Sequence, residues 1–169
     1  SGMTGSGTVI ANILAGVAID AGNNLNLAST STDNTVTFDT PPTVTINQAA
    51  AQPDPTSASP INFTVVFNEP VTGFATGDVT LSGTAGATTA IVTGSGATYN
   101  VAVSGMTANG TVIATIAAGV AVDAGNNQNI ASTSTDNTVT YNPPPTVTIN
   151  QAAAQPDPTS ASPINFTVV

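Results

Sequence analysis

The chain repeats itself at a spacing of 103 residues. Residues 1–66 align without a gap onto 104–169, and the stretch 43–66 recurs unchanged as 146–169. A period this long exceeds one solenoid turn or propeller blade and matches a whole small domain. The sequence therefore reads as a window on a tandem array. Residues 1–42 form the C-terminal part of one copy, 43–145 a complete copy, and 146–169 the N-terminal strands of the next.

The residues that are missing narrow the function. There is no Lys, Arg, His, Cys or Trp. Without His or Cys, the usual general base, the thiol nucleophile and the common zinc ligands are absent. Without Lys, neither a Schiff base nor a phosphate-binding P-loop can be built. A carboxylate pair for glycoside hydrolysis would need a cleft, and aromatics make up only 4% of the chain. A non-catalytic role is expected. The net charge of −9, with nothing positive to offset it, argues against nucleic acid and anionic membrane surfaces as partners. No run of 18 apolar residues is present, so no membrane-spanning helix is expected.

Period-2 alternation recurs in short runs through the complete copy. It predicts strands at 43–48, 61–68, 78–83, 88–93, 98–104, 111–117 and 137–142. Their inward positions are Val44 and Ile46; Ile61, Phe63, Val65 and Phe67; Val79 and Leu81; Tyr99, Val101 and Val103; Val112, Ala114 and Ile116; Val139 and Tyr141. Gly, Pro, Asn and Asp separate the runs. The Ala-rich stretch Ala114–Ala124 is the nearest thing to a helix, but Gly119 and its β-branched neighbours oppose one. The expected fold is all-β: an immunoglobulin-like sandwich of about seven strands per repeat.

Differences between copies sort positions. Tyr141 for Phe38, Ile130 for Leu27 and Val122 for Ile19 keep apolar bulk, as core sites should, whereas Gln128 for Leu25 marks an exposed site. The copies are joined by Asp39-Thr40-Pro41-Pro42 and by Asn142-Pro143-Pro144-Pro145. Proline runs are extended and stiff, so the array should be a rod.

Glu69-Pro70-Val71, Tyr99-Asn100-Val101 and Asp123-Ala124-Gly125-Asn126, within the surrounding FNEPVTGF, GSGATYNVAV and NGTVIATIAAGVAVDAGNNQNIAS, carry a family resemblance. The chain resembles the bacterial Ig-like domains strung in tandem in very large surface proteins. The resemblance spans 43–145 and both partial copies. It implies an adhesin stalk or surface fibre, secreted or held at the cell surface, and often stiffened by calcium.

In such a sandwich the loop after 61–68, the loop after 111–117 and the start of 137–142 share one end. Glu69, Asp78, Asp123 and Asp136 are therefore expected together there, with Asp39 arriving from the linker and Asp54 at the far end facing the next copy. Like charges gathered without a basic residue suit a hard cation, and calcium takes six to eight oxygens. Asn126 and Asn127 offer amide oxygens. The alternative is local turn chemistry, with Asp123 accepting nearby backbone N–H bonds. No EF-hand loop pattern occurs.

Three functions compete. The first is a structural stalk whose partners are neighbouring copies. The second is a binding module for a glycan or host protein, disfavoured by the lack of Trp. The third is a self-assembling sheath or filament, joined laterally or end to end through strands that carry no Lys to protect their edges. Asn62, Asn109 and Asn165 fit the glycosylation acceptor pattern but read more simply as strand and turn residues.

Overall fold

The structure is a computed structural model that describes residues 2–169. Those residues form ten strands and no helix: β1 (Gly7–Ile10), β2 (Thr35–Phe38), β3 (Val44–Gln48), β4 (Ile61–Val71), β5 (Val79–Ser82), β6 (Thr89–Ser104), β7 (Gly110–Ile116), β8 (Thr138–Tyr141), β9 (Ile149–Gln151) and β10 (Phe166–Val168). Within 43–145 they make two antiparallel sheets, ordered β3-β4-β6 and β5-β7-β8. The sheets share one hydrophobic core, the arrangement of a β-sandwich.

Alternation in the sequence becomes the two faces of each strand. In β4, Ile61, Phe63, Val65 and Phe67 are buried, while the residues between them are not. Removing a side chain such as Phe63 from water contributes about 1.5–3 kcal/mol. Val44 and Ile46 of β3, Val101 and Val103 of β6, Val112, Ala114 and Ile116 of β7 and Val139 of β8 are buried with them. Phe67, Phe74 and Tyr99 meet edge to face, with ring centroids 5.1–6.0 Å apart. Tyr99 is buried, and its hydroxyl donates to the Val71 carbonyl at 3.2 Å, so the ring is buried without an unpaired polar atom.

The strands differ from expectation in two places. The runs at 88–93 and 98–104 belong to one continuous strand, β6, which doubles back on itself. Thr88 N–H donates to the Ser104 carbonyl at 3.1 Å. At Gly94 (φ 121°) a Cβ would lie 2.7 Å from the Thr98 carbonyl oxygen and 2.9 Å from Tyr99 Cα, so only glycine permits the two arms to close. The second difference is β4, which runs on to Val71 rather than ending at 68. Its pairing with β6 shifts between Val66 and Val71, around Pro70, which has no N–H to give a ladder. Val71 is buried, and that burial extends the strand.

Two irregular segments close the sandwich. Residues 54–56 run parallel to β8: Thr56 N–H donates to Thr140 O at 2.9 Å and Asn142 N–H to Thr56 O at 2.8 Å. Residues 130–136 run beside β3, through Ile130 N–H to Pro42 O (3.0 Å), Thr133 N–H to Val44 O (3.1 Å) and Gln48 N–H to Asp136 O (2.6 Å). This path corrects one expected core position. Ile130 is 45% exposed, on the outer side of that segment.

The flanking pieces form separate two-stranded ladders, β1 with β2 and β9 with β10. Their sequences match buried strands, but their side chains are open. Val36 and Ile149 are 68% and 65% exposed, where the matching Val139 and Ile46 are fully buried.

Candidate functional site

The site is built on the loop that follows β7. Asp123 is buried, and its carboxylate accepts the Asn127 backbone N–H at 2.8 Å and the Asn127 side-chain amide at 3.0 Å. Asn126 sits at the tip with φ 67°, a left-handed conformation that asparagine tolerates better than most residues. The loop forms the same way in the first partial copy. Asp20 accepts Gly22 N–H, Asn24 N–H and the Asn24 amide at 2.8–3.1 Å, and Asn23 has φ 68°. Its shape is therefore dictated locally, as the turn reading anticipates.

Beneath the tip lies Asn129, 2% exposed and fully bonded. Its side-chain oxygen accepts Val120 and Ala121 N–H, both at 2.9 Å, and its amide donates to Ala117 and Ile130 carbonyls at 2.9 and 2.8 Å. This residue staples the whole loop. The sequence reading overlooked it, although the recurrence of Asn at position 26 is a signal that could have found it.

Three carboxylates converge on the loop. Oxygens of Asp39, Glu69 and Asp123 lie within 4.8 Å of one another. Asp39 comes from the linker, Glu69 from the end of β4 and Asp123 from the loop. Asp39 is held from both sides, by the Asn127 amide at 3.1 Å and by the Ser6 hydroxyl at 2.8 Å. It packs so closely that a Cβ on Gly125 would collide with its carboxylate. The entry of the chain is pinned nearby, where Thr43 N–H donates to the Asn68 side-chain oxygen at 2.7 Å.

Asp123 and Glu69 are shifted in opposite directions. Burial opposes the charge on Asp123, but the side chain and backbone of Asn127 and the backbone N–H groups of Gly125 and Asn126 outweigh it, and the carboxyl lies below its usual range. Asp20, held first by the Asn24 backbone, lies low for the same kind of reason. Glu69 is pushed up, first by burial and then by the charges of Asp123 and Asp39. The donor set is all oxygen and anionic, which fits a hard cation such as calcium. Three carboxylates supply at most six oxygens, and Asp39 and Asp123 already accept amide protons from Asn127.

The other expected ligands stand apart. Asp78 accepts Ala75 N–H at 2.7 Å in its own turn. Asp136 is carried away along β3, where its backbone bonds Gln48 and the Asn47 side chain. Asp54 accepts Thr140 N–H at 2.9 Å and fastens residues 54–56 to β8. Asn126 shapes the turn, and the amide at the carboxylates belongs to Asn127. At the next junction Asn142 stands where Asp39 stands here, and it accepts Asn109 Nδ2 at 3.1 Å.

A groove of about 430 Å³ lies elsewhere, between β5 and the first arm of β6, lined by Val79, Leu81, Ala87 and Ala90 over a threonine rim. Comparison with family models, with curated proteins and with solved structures finds no match for this chain.

Proposed function

We propose that the chain is a segment of an extracellular stalk or fibre of a bacterial surface protein, built from tandem Ig-like domains and without a catalytic role. The strand order supports the Ig-like part. Counting both arms of β6, one sheet has four strands and the other three, as in constant-type Ig domains. The observation that carries the stalk reading is the grip on Asp39. A linker residue is bonded on one side to the copy behind it, through Ser6, and on the other to the loop of the copy ahead, through Asn127. A joint tied on both sides resists bending, which a rod requires and a flexible string of binding modules does not.

On the same reading, the Asp39, Glu69 and Asp123 carboxylates would hold calcium and lock the joint further. Occupancy would stabilise the folded state by roughly 2.7 kcal/mol at a hundredfold excess over the dissociation constant. Small-angle scattering of the chain in calcium and in chelator, with Asp39→Asn alongside, tests both parts. The stalk reading expects a narrow, extended distribution that Asp39→Asn broadens. A broad distribution in every condition overturns it. Calcium that changes neither the melting temperature nor the maximum dimension overturns the metal alone.

A further inference from the structure

We propose that the open edge of β5 is a pairing surface for a second copy of this chain, which adds its own β5 antiparallel to it across a two-fold axis. The proposal goes beyond the stalk reading and does not rest on it.

The two sides of the complete copy are finished differently. On one side, residues 130–136 run beside β3 and residues 54–56 beside β8, so both of those edges are bonded over. On the other side, β5 ends its sheet, and no described residue pairs with its outer edge. All of these segments lie inside 43–145, so the contrast belongs to the domain itself. An edge left open, with no Lys or Pro upon it, is a template for another strand.

The groups on that edge follow from the ladder. Ala114 N–H donates to Asn137 O at 3.1 Å and Ile116 N–H to the Ser132 hydroxyl at 3.0 Å, so these positions of β7 face β8. Ile113 and Thr115 therefore face β5, and their partners Ser82 and Thr80 make the ladder bonds. Val79 and Leu81 are left with N–H and C=O groups directed outward. Their side chains are half-buried against the core and line the 430 Å³ groove along this edge, with Ala87 and Ala90. Pairing Val79 with the partner's Leu81, and Leu81 with the partner's Val79, uses all of these outward groups. It also sets the exposed Thr80 opposite the partner's Thr80, a favourable cross-strand pair.

Charge selects the occupant. The chain carries −9 and no basic residue, so copies repel wherever acids meet. No charged residue occurs from Val79 to Val122, a stretch that contains β5, β6 and β7. A basic partner would find little to hold there, whereas an uncharged strand like β5 itself matches it. The one acid beside the edge is Asp78, whose carboxylate accepts Ala75 N–H. In the antiparallel register it lies across from the partner's Ser82. The two Asp78 side chains are then four strand steps apart, about 14 Å, beyond a Debye length of about 8 Å. A parallel arrangement would set them side by side. Four residues make a weak seam, and repetition of the domain along an array multiplies it.

Sedimentation equilibrium and disulfide trapping on the full chain test this. Mass should rise toward that of a dimer as concentration increases. Thr80→Glu sets two carboxylates face to face at an exposed position and should abolish the rise without moving the melting temperature. Thr80→Gln, of the same length but uncharged, should keep it. In the antiparallel register the two Thr80 Cα atoms form a non-hydrogen-bonded pair about 4.5 Å apart, within the span of a disulfide. The native chain has no cysteine, so Thr80→Cys should crosslink to itself on mild oxidation. Ser57→Cys, equally exposed but on the covered side, should not. A chain that stays monomeric at every concentration overturns the proposal. So does association that Thr80→Glu leaves unchanged, or a Thr80→Cys variant that crosslinks no faster than Ser57→Cys.

Discussion

Removing the Asn129 amide should loosen the complete copy out of proportion to the size of the change. The side chain is 2% exposed and makes four hydrogen bonds, two accepted from Val120 and Ala121 and two donated to Ala117 and Ile130. Asn129→Ala strips partners from two backbone N–H groups and two carbonyls at once. Each bond contributes about 1 kcal/mol net, and water should recover one of the four near the surface, which leaves a loss of about 3 kcal/mol. Urea unfolding is the assay, and the midpoint should fall with little change in slope. The chain contains its own control. Asn26 makes the same kinds of bonds, to Ala18 N–H and to Leu14 and Leu27 carbonyls, in a partial copy that has no sandwich core. Asn26→Ala should leave the transition unmoved. If Asn129→Ala costs less than ~1 kcal/mol, or if both variants behave alike, the loop does not contribute to cooperative stability.

Other outcomes follow from the same geometry. Phe63→Ala should cost about 3–5 kcal/mol, while Phe166→Ala, at the same place in an identical sequence but 61% exposed, should not shift the melt in dilute solution. Glu69 holds its proton to higher pH in the folded chain than in the unfolded one, so its protonation favours folding as pH falls from neutral. Asp123 has the opposite sign, and its contribution is lost as pH drops through its lowered folded value. Thermal melts against pH should therefore show a slight gain and then a decline on acidification, and Glu69→Gln should remove the gain and keep the decline. Asp123→Asn should abolish any calcium-dependent rise in melting temperature, read by differential scanning calorimetry with and without chelator.

The sequence was most legible where a side chain's fate depends on its near neighbours. Alternation located the inward residues of β3, β4 and β7, because burial on one face of a strand imposes a period of two. The Asp123 turn was legible as a turn for the same local reason, and it forms alike at Asp20. Long-range paths were not legible. Asp136 was expected among the acids because a loop was assumed to lead straight into β8, whereas 130–136 first runs the length of β3. Glu69 was expected in a loop, yet the burial of Val71 draws it into β4. Asp39 did reach Asp123, since a short proline linker leaves it little freedom to go elsewhere.

The linkers also bear on how such a chain avoids folding wrongly. Residues 43–66 and 146–169 are the same sequence, so two hairpins in one polypeptide are chemically eligible for a single place beside β6. Composition cannot tell them apart, and the choice falls to reach. Tyr141 is level with Gly110, while the place for Val147 is level with Ile116, six strand steps or about 20 Å back. The six residues from Tyr141 to Val147 span about 20 Å only at full extension. No residue would remain to make the reversal, and three of them are prolines that hold the chain straight. Pro143–Pro145 thus directs the second hairpin away from the domain it follows, a safeguard that becomes more necessary as the copies become more alike.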